Sequence, residues 1–293
     1  MSATDGIAQL RAQLDHKNTA NRARAQLHRW YAFYERDTKH WDNQFDLLTD
    51  DMEIIRGVGP EGGIEIGKDA YRRSVEAFPT GQGHGHHIKR FQLLPIGTTG
   101  QWLLSVDLHY HNRSEQGDER AGALHYAMQL AEDGSLLPKI RRVVVELDDI
   151  LDEPFEDAYP INRAAGLVHY WLALLESRDP DTAPLPEIIA DDAVFHLSDG
   201  RTLDGLAEIS TWYADLPGLV HATHHDVENL SVRTDDKGHL LVSMDLAWLG
   251  IDTKDQPVRT RTHHEWTVAD GDGRFPVLRE ARITRLEVAD SAT

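Results

Sequence analysis

NRARAQLHRWYAFYERDTKHWDNQFDLLTDD, residues 21–51, is answered 141 positions later by NRAAGLVHYWLALLESRDPDTAPLPEIIADD, residues 162–192. Asn21-Arg22-Ala23 matches Asn162-Arg163-Ala164, His28 matches His169, Trp30 matches Trp171, Glu35 matches Glu176, and Asp50-Asp51 matches Asp191-Asp192. After a three-residue change of spacing around residues 57–61, the register continues at offset 138. It then pairs Pro79 with Pro217, His86-His87 with His224-His225, Gly100 with Gly238, and Leu103, Ser105, Asp107 and Leu108 with Leu241, Ser243, Asp245 and Leu246. Chance supplies scattered identities, but not one register that the hydrophobic pattern also follows. The chain therefore reads as a tandem duplication, residues 1–150 and 151–293, joined by the acidic, proline-bearing DDILDEPFEDAYP at 148–160.

Each half can be read once and checked against the other. Leu27, Trp30, Tyr31 and Tyr34 fall at helical spacing, as do Leu167, Val168, Trp171, Leu172 and Leu175, so each repeat opens with an amphipathic helix facing a sheet. A short strand follows at Asp50 to Ile55 and at Asp191 to Leu197. Next come second helices, Lys68 to Phe78 and Leu206 to Leu216, stopped by Pro79 and Pro217. Longer strands are predicted over His87 to Pro95, Gln101 to Asn112, Gly122 to Ala131 and Lys139 to Leu147. Helices gathered on one side of a bent antiparallel sheet give an α+β class: two tandem cones, each with an interior cavity.

Composition narrows the chemistry. In 293 residues, 49 acidic side chains against 30 basic ones leave a formal charge of −19, which argues against nucleic-acid or membrane-surface partners. Hydrophobic residues make up 40% and charged residues 27%, the proportions of a chain that folds in water. Without cysteine there is no disulfide, thiol nucleophile or zinc–thiolate cluster. The charged opening MSATDGIAQLRAQLDHKN lacks a signal-peptide core and no apolar run approaches a membrane span, so a cytoplasmic protein is expected. No phosphate-binding glycine loop, G-x-S-x-G elbow or dinucleotide fingerprint occurs.

The order of elements, and ERDTKHWDNQFDLLTDD (35–51) followed at a distance by HHIKRF (86–91), resembles the SnoaL-like branch of the nuclear transport factor 2-like superfamily, over about residues 20–147 and again 160–288. The resemblance implies two cystatin-like cones paired within one chain, with further self-association open. Within that branch the segment is similar to scytalone dehydratase, hexachlorocyclohexane dehydrochlorinase and bile acid 7α-dehydratase. It implies a cofactor-independent lyase or isomerase, a dehydratase-type enzyme acting on a small apolar cyclic or aromatic molecule. The rivals are a non-catalytic ligand-binding or scaffold protein and a hydrolase or cyclase on the same fold.

Asp37 closes the first helix and His87 opens the first long strand, so the two can meet in a cone. An aspartate beside a histidine orients the ring and leaves its far nitrogen free to take a proton. The resemblance gives Asp37 and His87 this dyad, although His87 is followed four residues on by Phe91 where the family commonly has Asn. His109 and His111 share a strand face with Asp107, and His111 is the candidate acid with Tyr34 as alternative donor. By the same resemblance Arg142 steadies a leaving group or oxyanion. Trp30, Phe78, His109 and Tyr126 are the candidate substrate walls. No cofactor or metal is expected: His84, His86 and His87 lie in a glycine-rich stretch, and His263-His264-Glu265 puts its ligands on two strand faces. In the second repeat Arg178 stands at the position of Asp37, with Ala247 and Leu249 at those of His109 and His111. Asp179 stands one residue late, so that repeat is expected to be chemically degenerate, with compensation by Asp179 and ligand binding in its cavity left as alternatives.

Overall fold

A computed structural model of the chain describes residues 3–36, 38–57, 63–77, 83–97 and 100–286. In the first repeat the elements are α1 (Ala3–Glu35), α2 (Trp41–Phe45), β1 (Leu48–Arg56), β2 (Gly63–Ile66), α3 (Lys68–Glu76), β3 (Gly83–Pro95), β4 (Gln101–Arg113), β5 (Glu119–Ala131) and β6 (Lys139–Leu151). The second repeats them as α4 (Tyr159–Ser177), α5 (Leu185–Ile188), β7 (Ile189–His196), β8 (Thr202–Asp204), α6 (Leu206–Asp215), β9 (Val220–Thr234), β10 (His239–Asp252), β11 (Pro257–Ala269) and β12 (Val277–Leu286). The two sheets have the same six-stranded order, β2-β1-β6-β5-β4-β3 and β8-β7-β12-β11-β10-β9. The fold is thus α+β, duplicated in tandem. Each sheet is mixed rather than wholly antiparallel, because β1 runs parallel to β6 and β7 parallel to β12.

The duplication reaches single residues. Gly67 and Gly205 precede α3 and α6 with φ of 81° and 83°, a region open to glycine at no steric cost. Each sends its N–H back to the preceding strand, to the carbonyl of Met52 at 2.9 Å or of Ala193 at 2.8 Å. In the first sheet Leu104, Val106, Leu108, Met128 and Val143 turn inward onto Trp30 and Tyr31 of α1, forming one buried cluster.

The chain does not divide at one cut near residue 150. Ala23–Gly166 form one unit; Met1–Arg22 and Leu167–Thr293 form the other. The reason lies in α1, which begins at Ala3 and buries Leu14 with Ala222 and Ile251, with Ile7 and Leu10 against them. The expected linker is also shorter, because β6 continues to Leu151 and α4 starts at Tyr159. Residues 153–156 lie on the first sheet: Phe155 receives the Arg113 guanidinium 4.3 Å from its ring centroid and donates its N–H to Glu119 at 2.9 Å. Among the described residues no helix is long and apolar enough to cross a membrane.

Candidate functional site

Helix α1 ends by carrying Glu35 into the interior of the first unit, where its side chain is fully buried. Its Oε1 accepts the His86 N–H at 2.7 Å and lies 3.0 Å from His86 Nδ1. Asn162 completes the arrangement. Its Nδ2 donates to Glu35 Oε1 at 2.9 Å and to the His86 carbonyl at 3.0 Å, while its Oδ1 meets His28 Nδ1 at 2.8 Å. Burial pushes the Glu35 carboxyl up to about 8 and holds the His86 imidazole down to about 3. The His86 ring stacks on Tyr31, with centroids 4.7 Å apart, and approaches Tyr110 at 5.1 Å.

The second unit builds the same device. Asn21 donates to Glu176 Oε1 at 2.9 Å and to the His225 carbonyl at 3.0 Å, and its Oδ1 meets His169 Nδ1 at 2.9 Å. Glu176 Oε1 accepts the His225 N–H at 2.7 Å. In register, His86 faces Tyr110 and His225 faces Trp248, which is the counterpart of Tyr110. The counterpart of His225 is therefore His86 and not His87. The sequence register slips by one residue here, where both ladders are irregular, at Ile88/Arg90 and opposite Ser243/Asp245.

That slip decides where the predicted residues lie. Asp37 and Phe78 fall outside the described residues. His87, one residue from the inward His86, takes the other face of β3, where its Nε2 contacts the Glu156 carbonyl at 3.0 Å. His109 and His111 share this outer face. His109 Nδ1 and His111 Nε2 lie 2.9 and 3.0 Å from Glu153 Oε2, and the Glu156 N–H reaches His111 Nδ1 at 3.1 Å. Arg142 alternates with the inward Val143 and lies 3.7 Å from Glu53. These four were expected in the cavity; the pleat turns them to the outside. Trp30, Tyr34 and Tyr126 do face inward: Trp30 stacks on Tyr71 with centroids 5.6 Å apart, and burial pushes the Tyr34 phenol up to about 12.

Inside the second sheet opens a cavity of about 330 Å³. Trp171, Phe195, Trp212, Leu246 and Leu278 supply apolar walls, and His225, His264, Thr223, Thr262 and Arg178 the polar groups. His225 is positioned by its own backbone bond to Glu176; its Nδ1 lies 3.4 Å from Glu176 Oε1 without a hydrogen bond, while His224 Nδ1, on the other strand face, lies 3.2 Å from the same oxygen. No hydrogen bond to Nε2, on the opposite side of the ring, occurs among the described residues, and His225 lines the cavity. Burial holds the His264 imidazole down to about 3, so it is neutral at ordinary pH, and its Nε2 lies 2.9 Å from Thr262 Oγ1. Along β11 the inward residues are Thr262, His264 and Trp266, where the first repeat has Leu124, Tyr126 and Met128. One scaffold therefore carries two different linings.

In the sequence, Glu35, Glu176, Asn21 and Asn162 stand out only as matching positions of the repeat. The available signal was that these polar identities recur inside otherwise apolar helical stretches, where an unpartnered polar side chain would be costly.

Residues 168–274 match the family model described as SnoaL-like domain. No curated protein matches the chain. Among solved structures, a cystatin-like protein from Caulobacter vibrioides shares 14% identity over 44% of this chain and 90% of its own, with a TM-score of 0.38. A nuclear transport factor 2-like superfamily protein from Salmonella enterica shares 11% over 46% and 92%, with a TM-score of 0.36. A type 2 hexachlorocyclohexane dehydrochlorinase shares 19% over 43% and 88%, with a TM-score of 0.35.

Proposed function

We propose that the cavity of the second unit binds a small, largely apolar cyclic or aromatic molecule. There His225, backed by Glu176, removes a proton from carbon in a cofactor-independent elimination or isomerisation. The observation that carries this reading is the juxtaposition of a histidine edge with aromatic walls, over a buried carboxylate 3.4 Å from the ring's other nitrogen. Histidine is the side chain whose ordinary pKa suits proton transfer near neutrality, and a carboxylate behind it stabilises the imidazolium that forms. The C–H electron pair becomes a new double bond. In elimination a leaving group departs with its own pair; in isomerisation the proton returns at another carbon.

Hydrogen–deuterium exchange at the acidic methylene of 2-tetralone, followed by NMR in D₂O, tests this without the natural substrate. The protein should accelerate exchange, His225→Phe should abolish the acceleration, and His87→Ala should leave it intact. Equal acceleration by wild type and His225→Phe would remove the mechanism. A second reading, binding without turnover, draws on the same 3.4 Å separation, which is longer than a good charge-assisted hydrogen bond. Ligand binding with no exchange in the wild type would favour it.

A further inference from the structure

The cavity that the preceding reading treats as a ligand site has a cation at its lining for which that reading has no use. Arg178 lies one residue past the end of α4 with φ of 53°, in the left-handed region that non-glycine residues seldom occupy. Its guanidinium donates to the His221 carbonyl. It makes no ion pair among the described residues, although acidic side chains outnumber basic ones 49 to 30. Arg274, Arg279 and Arg201 of the same unit are paired, with Glu187 at 2.6 Å, Asp192 at 2.6 Å and Asp199 at 2.7 Å, whereas Arg233, Arg259 and Arg285, like Arg178, carry no ion pair among the described residues; of these four only Arg178 lines the cavity. Arg178 is exposed, so its charge is hydrated and costs little when the site is empty. Only one of its N–H groups is committed to His221; the rest of the planar fork is available.

We infer that the ligand of this cavity is an amphipathic carboxylate, its cyclic or aromatic body among the tryptophans and its carboxylate held by Arg178. The assignment rests on the reading of the cavity as a ligand site. A guanidinium fork matches a carboxylate in two parallel hydrogen bonds, which a lysine ammonium cannot reproduce. At about 330 Å³ the cavity has room for a two-ring body. The formal charge of −19 repels anions over the surface as a whole, so preference for an anionic ligand must come from a local contact.

Titration with 2-naphthoate and with its uncharged isostere 2-naphthamide, read by tryptophan fluorescence and by calorimetry, separates the two claims. At low salt the wild type should bind the carboxylate roughly three- to tenfold more tightly than the amide, the range for a charge-assisted bond at a wet site. Arg178→Gln should equalise the two, and Arg178→Lys should keep only part of the preference. Equal affinities in the wild type, or a preference that survives Arg178→Gln, would overturn the carboxylate assignment and leave the cavity reading standing. Failure of both compounds to bind would overturn the cavity reading and this inference with it.

Discussion

At the residue scale the two glutamate–histidine pairs use the same atoms to different ends. In the first unit Glu35 lies 3.0 Å from His86 Nδ1 and the ring is sealed between Tyr31 and Tyr110. In the second, the looser 3.4 Å contact sits behind a ring that lines a cavity. If Glu176 supports an imidazolium on His225, Glu176→Gln keeps an oxygen for the His225 N–H and removes only the charge. Exchange should then slow by roughly 10- to 100-fold, less than the loss of the base itself, with a melting temperature close to that of wild type. Unchanged exchange alongside unchanged stability would reduce Glu176 to a strand anchor. Asn162 is the purer structural case, since it satisfies the Glu35 carboxylate, the His86 carbonyl and the His28 ring at once. Asn162→Ala strands all three in a buried site and should cost about 2 to 4 kcal/mol in denaturant unfolding. A cost below about 1 kcal/mol would mean that water replaces the amide.

At the element scale, the outer face of the first sheet is covered by the segment after β6, and Gly85 marks how closely it lies. A Cβ at Gly85 would come within 2.4 Å of the Glu156 carbonyl oxygen, a backbone atom that cannot swing away. Gly85→Ala should lift the segment, destabilise the first unit by about 1 to 3 kcal/mol and expose the 151–157 backbone to protease; unchanged cleavage there would show that the segment yields cheaply. His87, His109 and His111 all contact this strap. The order of elements along the chain, both repeats and most bounds of the long strands were legible, because hydrophobic periodicity and a doubled register report on local structure; the parallel pairing of β1 with β6 and of β7 with β12 was not. Which face a histidine takes depends on single-residue bulges: the one at Lys89 turns His86 in and His87 out, and the one at Asn229 turns His225 in and His224 out. The N-terminal part of α1 was not legible, because the charged stretch 1–18 has no counterpart in the repeat. Nor was the sheet that buries Leu14, since its partners Ala222 and Ile251 lie more than two hundred positions away.

At the scale of the whole molecule, the buried titratable groups set a pH optimum for stability whose two limbs have different owners. Burial lowers His28 to about 4, His86 to about 3 and His264 to about 3, so each refuses in the folded state a proton that the unfolded chain accepts below 6.5. Their contribution is present above 6.5 and is lost as the pH falls towards 4 and 3. Glu35 has the opposite sign. Burial raises it from 4.5 to about 8, outweighing the hydrogen bonds from His86 and Asn162 and the attraction of His87, so the folded state keeps a proton that the unfolded chain releases. Its contribution is present below 4.5 and is lost as the pH climbs to about 8. His224 adds to that alkaline loss in the second unit: burial lowers it, but its bonds to Asp226 and Glu176 prevail and raise it. Between 4.5 and 6.5, Glu35 partly offsets the two histidines of its own unit, and above 6.5 it acts in that unit against no such opposition. Stability should therefore rise with pH to a maximum near 6.5 and decline towards 8, with a slope from Glu35 of at most about 1.4 kcal/mol per pH unit. Glu35→Gln removes the titrating group while retaining acceptor and donor atoms for His86 and Asn162. Urea unfolding of both proteins across this range, resolved into two transitions where the units melt separately, should show the alkaline decline of the first unit abolished in the variant and the acid limb retained. Parallel curves for wild type and Glu35→Gln above 6.5 would mean that Glu35 is ionised in the folded protein and that its three donors, not burial, set its charge.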